Sequence, residues 1–423
     1  MLAAASLSSA ALAAPTYIHA GRLMAVPGQA VRGASTIVID GDRIVSVASG
    51  FLAPPAGKAL IDLKDKTVLP GLIDAHVHLA SDRGGEAELL SFVREEPQMH
   101  ALEAQMNGMK TLRAGFTTVR NLGDDGATLA LREAIKRGWV QGPRIVDAAS
   151  SISTTGGHMD GRGGLNDELV AHLPGPENLC DGVDACRRVV RRQIDRGADV
   201  IKFATTGGVN SGTGLATRME EDEARALVAT AHAYGRKVAV HAHGADGIKL
   251  ALRAGADSIE HGTVMDDAII ATMKKQGAYY VPTLSTVNGY LERLAANPNA
   301  YAPDVKKQID WRIGITGQSL RKAAPAGVRI AFGTDAGVSK HGRNADEFEL
   351  LVKYGLTPIE AIKAATVNAA DLLGLASEVG TIEPGKSADI IAVSGEPLND
   401  VRVLKSVEFV MARGEVVKST GTR

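Results

Sequence analysis

From residue 68 onward, short apolar runs alternate with segments whose apolar positions recur every three or four residues. The runs read as strands and the segments as amphipathic helices, because side chains repeat with a period of two in a strand and about 3.6 in a helix. The predicted strands are "LIDAHVHL" (72–79), "FTTVRNL" (116–122), "RIVDAAS" (144–150), "DVIKFAT" (199–205), "KVAVHAH" (237–243), "DSIEHG" (257–262), "AYYVPTL" (278–284) and "RIAFGTD" (329–335). Between them lie helical patterns such as "EDEARALVATAHAYG" (221–235) and "ADGIKLALRAG" (245–255), each ending on the glycine expected past a helix C-terminus. Eight such alternations predict an α/β fold, a (β/α)8 TIM-like barrel over residues 68–378.

The flanks break this alternation. "STIVIDGDRIVSVAS", within 17–67, is two runs joined at a DGD hairpin signal, and 379–423 holds "VGTIEPGKSADIIAVSG" and "VEFVMARGEVV" without helical stretches. A small β-sandwich domain built from both chain ends is therefore expected, with the barrel inserted between its halves. Residues 1–16 differ again: "MLAAASLSSAALAAP" joins an apolar small-residue stretch to a cleavage-like "ALAAP", without a basic start. Read as a secretory leader, this predicts a periplasmic or secreted protein; a leader without that function leaves it cytoplasmic. No later run is long and apolar enough to span a bilayer.

Composition narrows the partners. At 423 residues, 45% hydrophobic and with 47 glycines, the chain suits a large barrel with an appendage. Its 47 basic and 48 acidic side chains leave no field of either sign, so neither nucleic acid nor a membrane surface is an expected partner. Cys180 and Cys186, in "CDGVDAC", can close a local disulfide in an oxidising compartment or stay as two thiols, and their spacing is not that of zinc ligands.

Barrel enzymes build their sites at the C-terminal ends of the strands. There stand His76 and His78, one residue apart on one strand face, then Lys202, then His241 and His243, then His261, and finally Asp335; His158 follows the third strand. Singly, each histidine could be a hydrogen-bonded core residue and Asp335 an Asx-turn. Together they mark one pocket. Imidazole and carboxylate suit zinc and its neighbours, and this many donors exceed one tetrahedral centre, so two divalent metal ions, most simply zinc, are expected. Lys202, an ammonium among apolar neighbours, is costly there unless CO2 carboxylates it to a bridging carbamate.

With "TVLPGLIDAHVHL", "VIKF", "VAVHAHG", "SIEHG", "FGTDAG" and "TPIEAIKAATVNAADLLGL…GTIEPGKSADIIAV", the chain resembles the amidohydrolase superfamily. It is most similar to the branch of binuclear dipeptidases and carboxypeptidase-like amidohydrolases that includes prolidase-type and ochratoxin-degrading enzymes. The resemblance implies metal ligation by His76, His78, carboxylated Lys202, His241, His261 and Asp335. Asp335 would also shuttle the proton. "HAHG" leaves His241 or His243 as the ligand; His241 is favoured because the family's ligand is usually the first residue of this motif, with His243 supporting the ligands or touching substrate. His158, a donor on the loop after the third strand, would stabilise the oxyanion or else be held by local turn contacts. The resemblance further implies a small-molecule amide or dipeptide substrate with a free carboxylate and a homo-oligomer as large as an octamer. Arg162, His341 and Arg343, on the loops, are candidate carboxylate anchors or else solvated charge. Cyclic-amide hydrolysis of the hydantoinase or imidazolonepropionase kind remains an alternative. Deamination fits less well, since Gly244 stands where deaminases of this kind carry glutamate. A scaffold without catalysis should have lost ligands, and none is missing.

Overall fold

The computed structural model describes residues 15–83, 90–91, 94–172, 177–211 and 213–420. The leader reading falls on residues outside these, apart from its last two. Among the described residues there are fifteen strands: β1 (Thr16–Leu23), β2 (Ser35–Asp40), β3 (Arg43–Ser49), β4 (Ala59–Pro70), β5 (Leu72–Val77), β6 (Phe116–Asn121), β7 (Arg144–Asp147), β8 (Val200–Ala204), β9 (Lys237–Ala242), β10 (Ser258–His261), β11 (Tyr279–Val281), β12 (Arg329–Ile330), β13 (Ile390–Val393), β14 (Phe409–Ala412) and β15 (Glu415–Ser419).

Each of the eight predicted central strands is found, as β5 to β12. They form two parallel sheets, β5-β6-β7 and β12-β11-β10-β9-β8. Backbone hydrogen bonds join the two sheets at both margins. On one side Ala75 donates to Phe332 (2.8 Å), Asp335 to His76 (2.8 Å) and His78 to Ala336 (2.7 Å); on the other, Ile152 donates to Lys202 (2.8 Å) and Ala204 to Ile152 (3.2 Å). Strands covered on both faces bury whole apolar runs, and every residue of β5, β6 and β8 is buried.

The crossover helices end where the sequence punctuates them. Glu221–Ala233 begins with a capping box, in which Glu220 and Glu223 reciprocally satisfy first-turn N–H groups. Ala245–Ala254 closes on Gly255 with φ 98°, a left-handed conformation that only glycine adopts cheaply. The main core lies between these helices and the strands, around Phe116, Phe203, Val240, Ile259 and Phe332.

Both chain ends contribute to a single seven-stranded sheet, ordered β15-β14-β13-β4-β1-β2-β3. The hairpin expected at DGD is there, with Asp40 opposite Arg43 across the β2–β3 turn. A second core of Ile18, Ile37, Ile39, Ile390 and Phe409 packs against this sheet. Cys180 and Cys186 form a disulfide, with Cα atoms 4.7 Å apart, at the start of the helix Val183–Asp195. Among the described residues no helix is long and apolar enough to cross a membrane.

Candidate metal centre and its pocket

A cavity of about 330 Å³ opens where the parallel strands end, lined by His76, His78, His158, Lys202, His241, His243, His261 and Asp335. Eight of the sequence-predicted residues therefore converge on it. Their backbones are shaped for this. His261 (φ 68°) and Asp335 (φ 56°) occupy the left-handed region, which costs a non-glycine residue about 1–3 kcal/mol and is tolerated where the surroundings impose it. At His261 the extended alternation ends, so both it and the preceding Glu260 are buried next to His76. Gly208 lies so close under His158 that a Cβ there would fall 2.1 Å from the imidazole. The second glycine of "TTGG" is thus needed for that ring's position, while the first makes room for the Gly214 carbonyl.

The donor atoms cluster in two groups. Ligand atoms of His76, His261 and Asp335 lie within 4.8 Å of one another, as do those of His241, His243 and His261. Asp335 Oδ1 stands 3.4 Å from Nε2 of both His76 and His78. Among the described residues His76 Nε2, which is buried, has no hydrogen-bond partner, as expected of a nitrogen that faces a cation. The opposite ring nitrogens are held: His76 Nδ1 by Glu260 (2.8 Å), His78 Nδ1 by the Gly123 carbonyl (2.9 Å), His243 Nδ1 by Thr263 (2.8 Å) and His261 Nδ1 by Thr283 (2.8 Å). Such outer contacts fix tautomer and ring orientation in metal sites. His241 differs, its Nε2 lying 3.2 Å from the Gly207 carbonyl.

Burial keeps these rings neutral, the form that ligates metal. It lowers the pKa of His76 and of His158 to about 4 and carries His241, His243 and His261 well below the usual histidine value, with neighbouring cations and rings adding to the effect. Lys202 is 1% exposed. Burial lowers its pKa to about 8 against the opposing pull of Glu260 and Asp335, and no carboxylate lies within ion-pair distance among the described residues. The chemistry of the donor set fits divalent metal.

One layer of the site was not apparent from the sequence. Arg120, 2% exposed, donates to the Ala75 carbonyl (2.6 Å), Ser258 (3.2 Å) and Glu260 (2.8 Å), while Glu260 also accepts from Ser258 and holds His76. Burial alone would raise the Glu260 pKa, but Arg120 and His76 outweigh it and hold the carboxyl at about 2. Replacing Glu260 with Gln strands a buried guanidinium. The expected loss is about 3–5 kcal/mol of stability in chemical denaturation, together with a 10- to 100-fold fall in metal affinity, on the order seen for outer-layer ligands.

Three predicted anchors do not reach the cavity. Arg162 is folded back on Asp160 through two hydrogen bonds (2.9 and 3.0 Å). Arg343 pairs with Asp346 and Glu292 at a half-exposed position. His341 is buried away from the pocket, its Nε2 between the carbonyls of His78 and Ser81 (3.1 Å each) and its Nδ1 near Thr111. Each is consumed by a nearer partner. The cationic side chains that do line the cavity, besides Lys202, are Arg293 and Arg312.

Residues 67–417 match the model of the amidohydrolase family. The chain is 31% identical over 429 aligned positions to ochratoxinase of Aspergillus niger, covering 96% of this chain and 87% of the relative. An Xaa-Pro dipeptidase solved with methionine bound in its active site has a TM-score of 0.89 at 39% identity, covering 95% of this chain and 99% of that one. A prolidase complexed with N-methylphosphonate-L-proline has a TM-score of 0.87 at 31% identity, covering 96% and 100%. With its histidines and aspartate gathered as a metal-dependent hydrolase requires, the chain belongs to the amidohydrolase family and hydrolyses amide or peptide bonds.

Proposed function

We propose that this protein is a binuclear metal-dependent amidase that releases an amino acid with a free α-carboxylate from a dipeptide or an N-acyl amino acid. The observation that carries the reading is the convergence of His76, His78, His241, His261 and Asp335 on one cavity with Lys202, a buried lysine with no carboxylate within 4.0 Å among the described residues. Carboxylation resolves that misfit: the ammonium loses a proton, the neutral amine attacks CO2, an N–C bond forms, a second proton is released, and the former cation becomes an anionic ligand. His76, His78 and Asp335 would hold one ion, His241 and His261 the other, with the Lys202 carbamate shared; the nitrogen and oxygen donors favour zinc.

Divalent ions held there supply an activated water at neutral pH and polarise the scissile carbonyl. The chain's own groups do the rest. Asp335 accepts the proton of the attacking water and returns it to the leaving nitrogen. His158, whose ring lies 4.3 Å from that of His241, donates a hydrogen bond to the developing oxyanion. Val209, Tyr290 and Met159 give the cavity an apolar wall against which an acyl or amino-acid side chain can exclude water.

The relatives support the substrate class, since the ligands named for two of them are amino acids or their derivatives. The same reading takes β5 to β12 as one closed barrel over 68–378, set into a sandwich domain of 17–67 and 379–423, in a periplasmic or secreted homo-oligomer. The hydrogen bonds at both sheet margins support closure.

The test is a substrate panel of dipeptides, N-acyl amino acids including aryl-acyl phenylalanines such as ochratoxin A, cyclic amides and deaminase substrates. Turnover should fall on the first two groups, vanish on chelation and return with zinc. Turnover confined to cyclic amides or deamination would contradict it.

A further inference from the structure

Among the described residues two arginines are buried, and one of them has a carboxylate within ion-pair distance. Arg120 has Glu260 at 2.8 Å. Arg312, 3% exposed near the end of the helix Pro303–Gly314, lines the cavity beside the metal centre. Its guanidinium makes one hydrogen bond among the described residues, from Nη1 to Thr316 Oγ1 at 3.1 Å, and has no acidic partner within 4.0 Å. The remaining donors of its fork are uncommitted.

The other acids and the other guanidinium of the cavity wall are engaged. Asp125 holds His100 (2.6 Å), Asp124 accepts from Asn121, Thr128 and the Gly126 amide, and Asp335 faces His76 and His78. Arg293 donates to the carbonyls of Arg83, Val338 and Gly337, tying loops together. Arg312 ties nothing but its own helix end. It lines the same cavity as His241, His243 and His261. A buried cation without a counter-ion is costly, so a site that keeps one is completed by an anion that arrives with the ligand.

We propose that Arg312 is the specificity-determining anchor of this pocket, gripping the α-carboxylate of the substrate's amino-acid part through its free fork. The inference rests on the amidase reading for its substrate class, and on Arg312's own surroundings for the anion. A bidentate grip fixes the carboxylate's plane and hence the distance of the scissile amide from Asp335. Lysine cannot reproduce that geometry. Neighbouring Tyr290 and Tyr301, their rings edge-on at 6.3 Å, and Val209 would take the attached side chain.

The probes are L-phenylalanine and L-methionine against their primary amides, which keep the α-amino group and side chain and lose only the charge. Calorimetric titration of the metal-loaded protein should show the acids binding about 10²-fold tighter, because an amide leaves the guanidinium unpaired. Arg312→Met should bring the ratio of acid to amide affinity close to one with metal content unchanged, and should raise KM for acid substrates more than it lowers kcat. Arg312→Lys should restore part of the ratio. Equal affinity of the native protein for acids and amides overturns the inference without recourse to any variant. So does a fully metallated Arg312→Met protein that keeps the preference. If acids bind in an Arg312-dependent way while no dipeptide or N-acyl amino acid is hydrolysed, the anchor stands and the amidase reading falls. If hydrolysis proceeds with blocked and free carboxylates alike, the reverse holds.

Discussion

Asp335→Asn is expected to lower kcat on the order of 10³-fold, the range for losing a general acid–base group, while leaving the protein folded and metallated. The substitution isolates the chemistry because asparagine is nearly isosteric and, like aspartate, tolerates the left-handed conformation that Asp335 adopts at φ 56°. Its backbone contacts are indifferent to the change: the amide still donates to His76 (2.8 Å) and the carbonyl still accepts from Val338 (3.0 Å) and Ser339 (3.2 Å). What is lost is a carboxylate 3.4 Å from two imidazoles, able to take a proton and give it back. An amide can do neither. Steady-state kinetics on variant protein of native metal content is the measurement, and near-native kcat would remove Asp335 from proton transfer.

The strands and the metal donors were legible in the sequence for one reason each. Strands of a sheet covered on both faces carry uninterrupted apolar runs, so β5 to β12 stood out, down to the three-residue Tyr279–Val281. The donors stood out because strand ends carry them, and His76 and His78 share a face by alternation. Arg162 and Arg343 do not serve as anchors for a local reason already present in the sequence. Arg162 has Asp160 two residues before it, and Arg343 has Asp346 three after it; such neighbours capture a loop cation before any ligand does. His341 lost its place to backbone carbonyls 263 and 260 residues away in sequence, which no pattern exposes. Arg120 and Glu260 are likewise 140 residues apart, on strands of two different sheets that only the tertiary fold brings together. Arg312 was hidden differently, as one cation in a helix that carries its own apolar positions, Val305, Ile309, Trp311 and Ile313.

The second large effect concerns Lys202. On the proposed reading its side chain is the ligand shared by the two ions, so Lys202→Ala should lose turnover by a factor comparable to chelation. Stability should not fall with it. The native lysine is buried at 1% exposure with no ion pair to lose, and in the carbamate-free chain its burial is unfavourable, so the metal-free variant should melt no lower than metal-free native protein. That separates a ligand from a structural residue, for which activity and stability decline together.

Metal stoichiometry by mass spectrometry of the purified chain, native beside Lys202→Ala, tests the binuclear carbamate centre most directly. The account predicts two divalent ions per native chain and fewer in the variant. Two ions and full activity in Lys202→Ala, or a single ion in a fully active native protein, would contradict it.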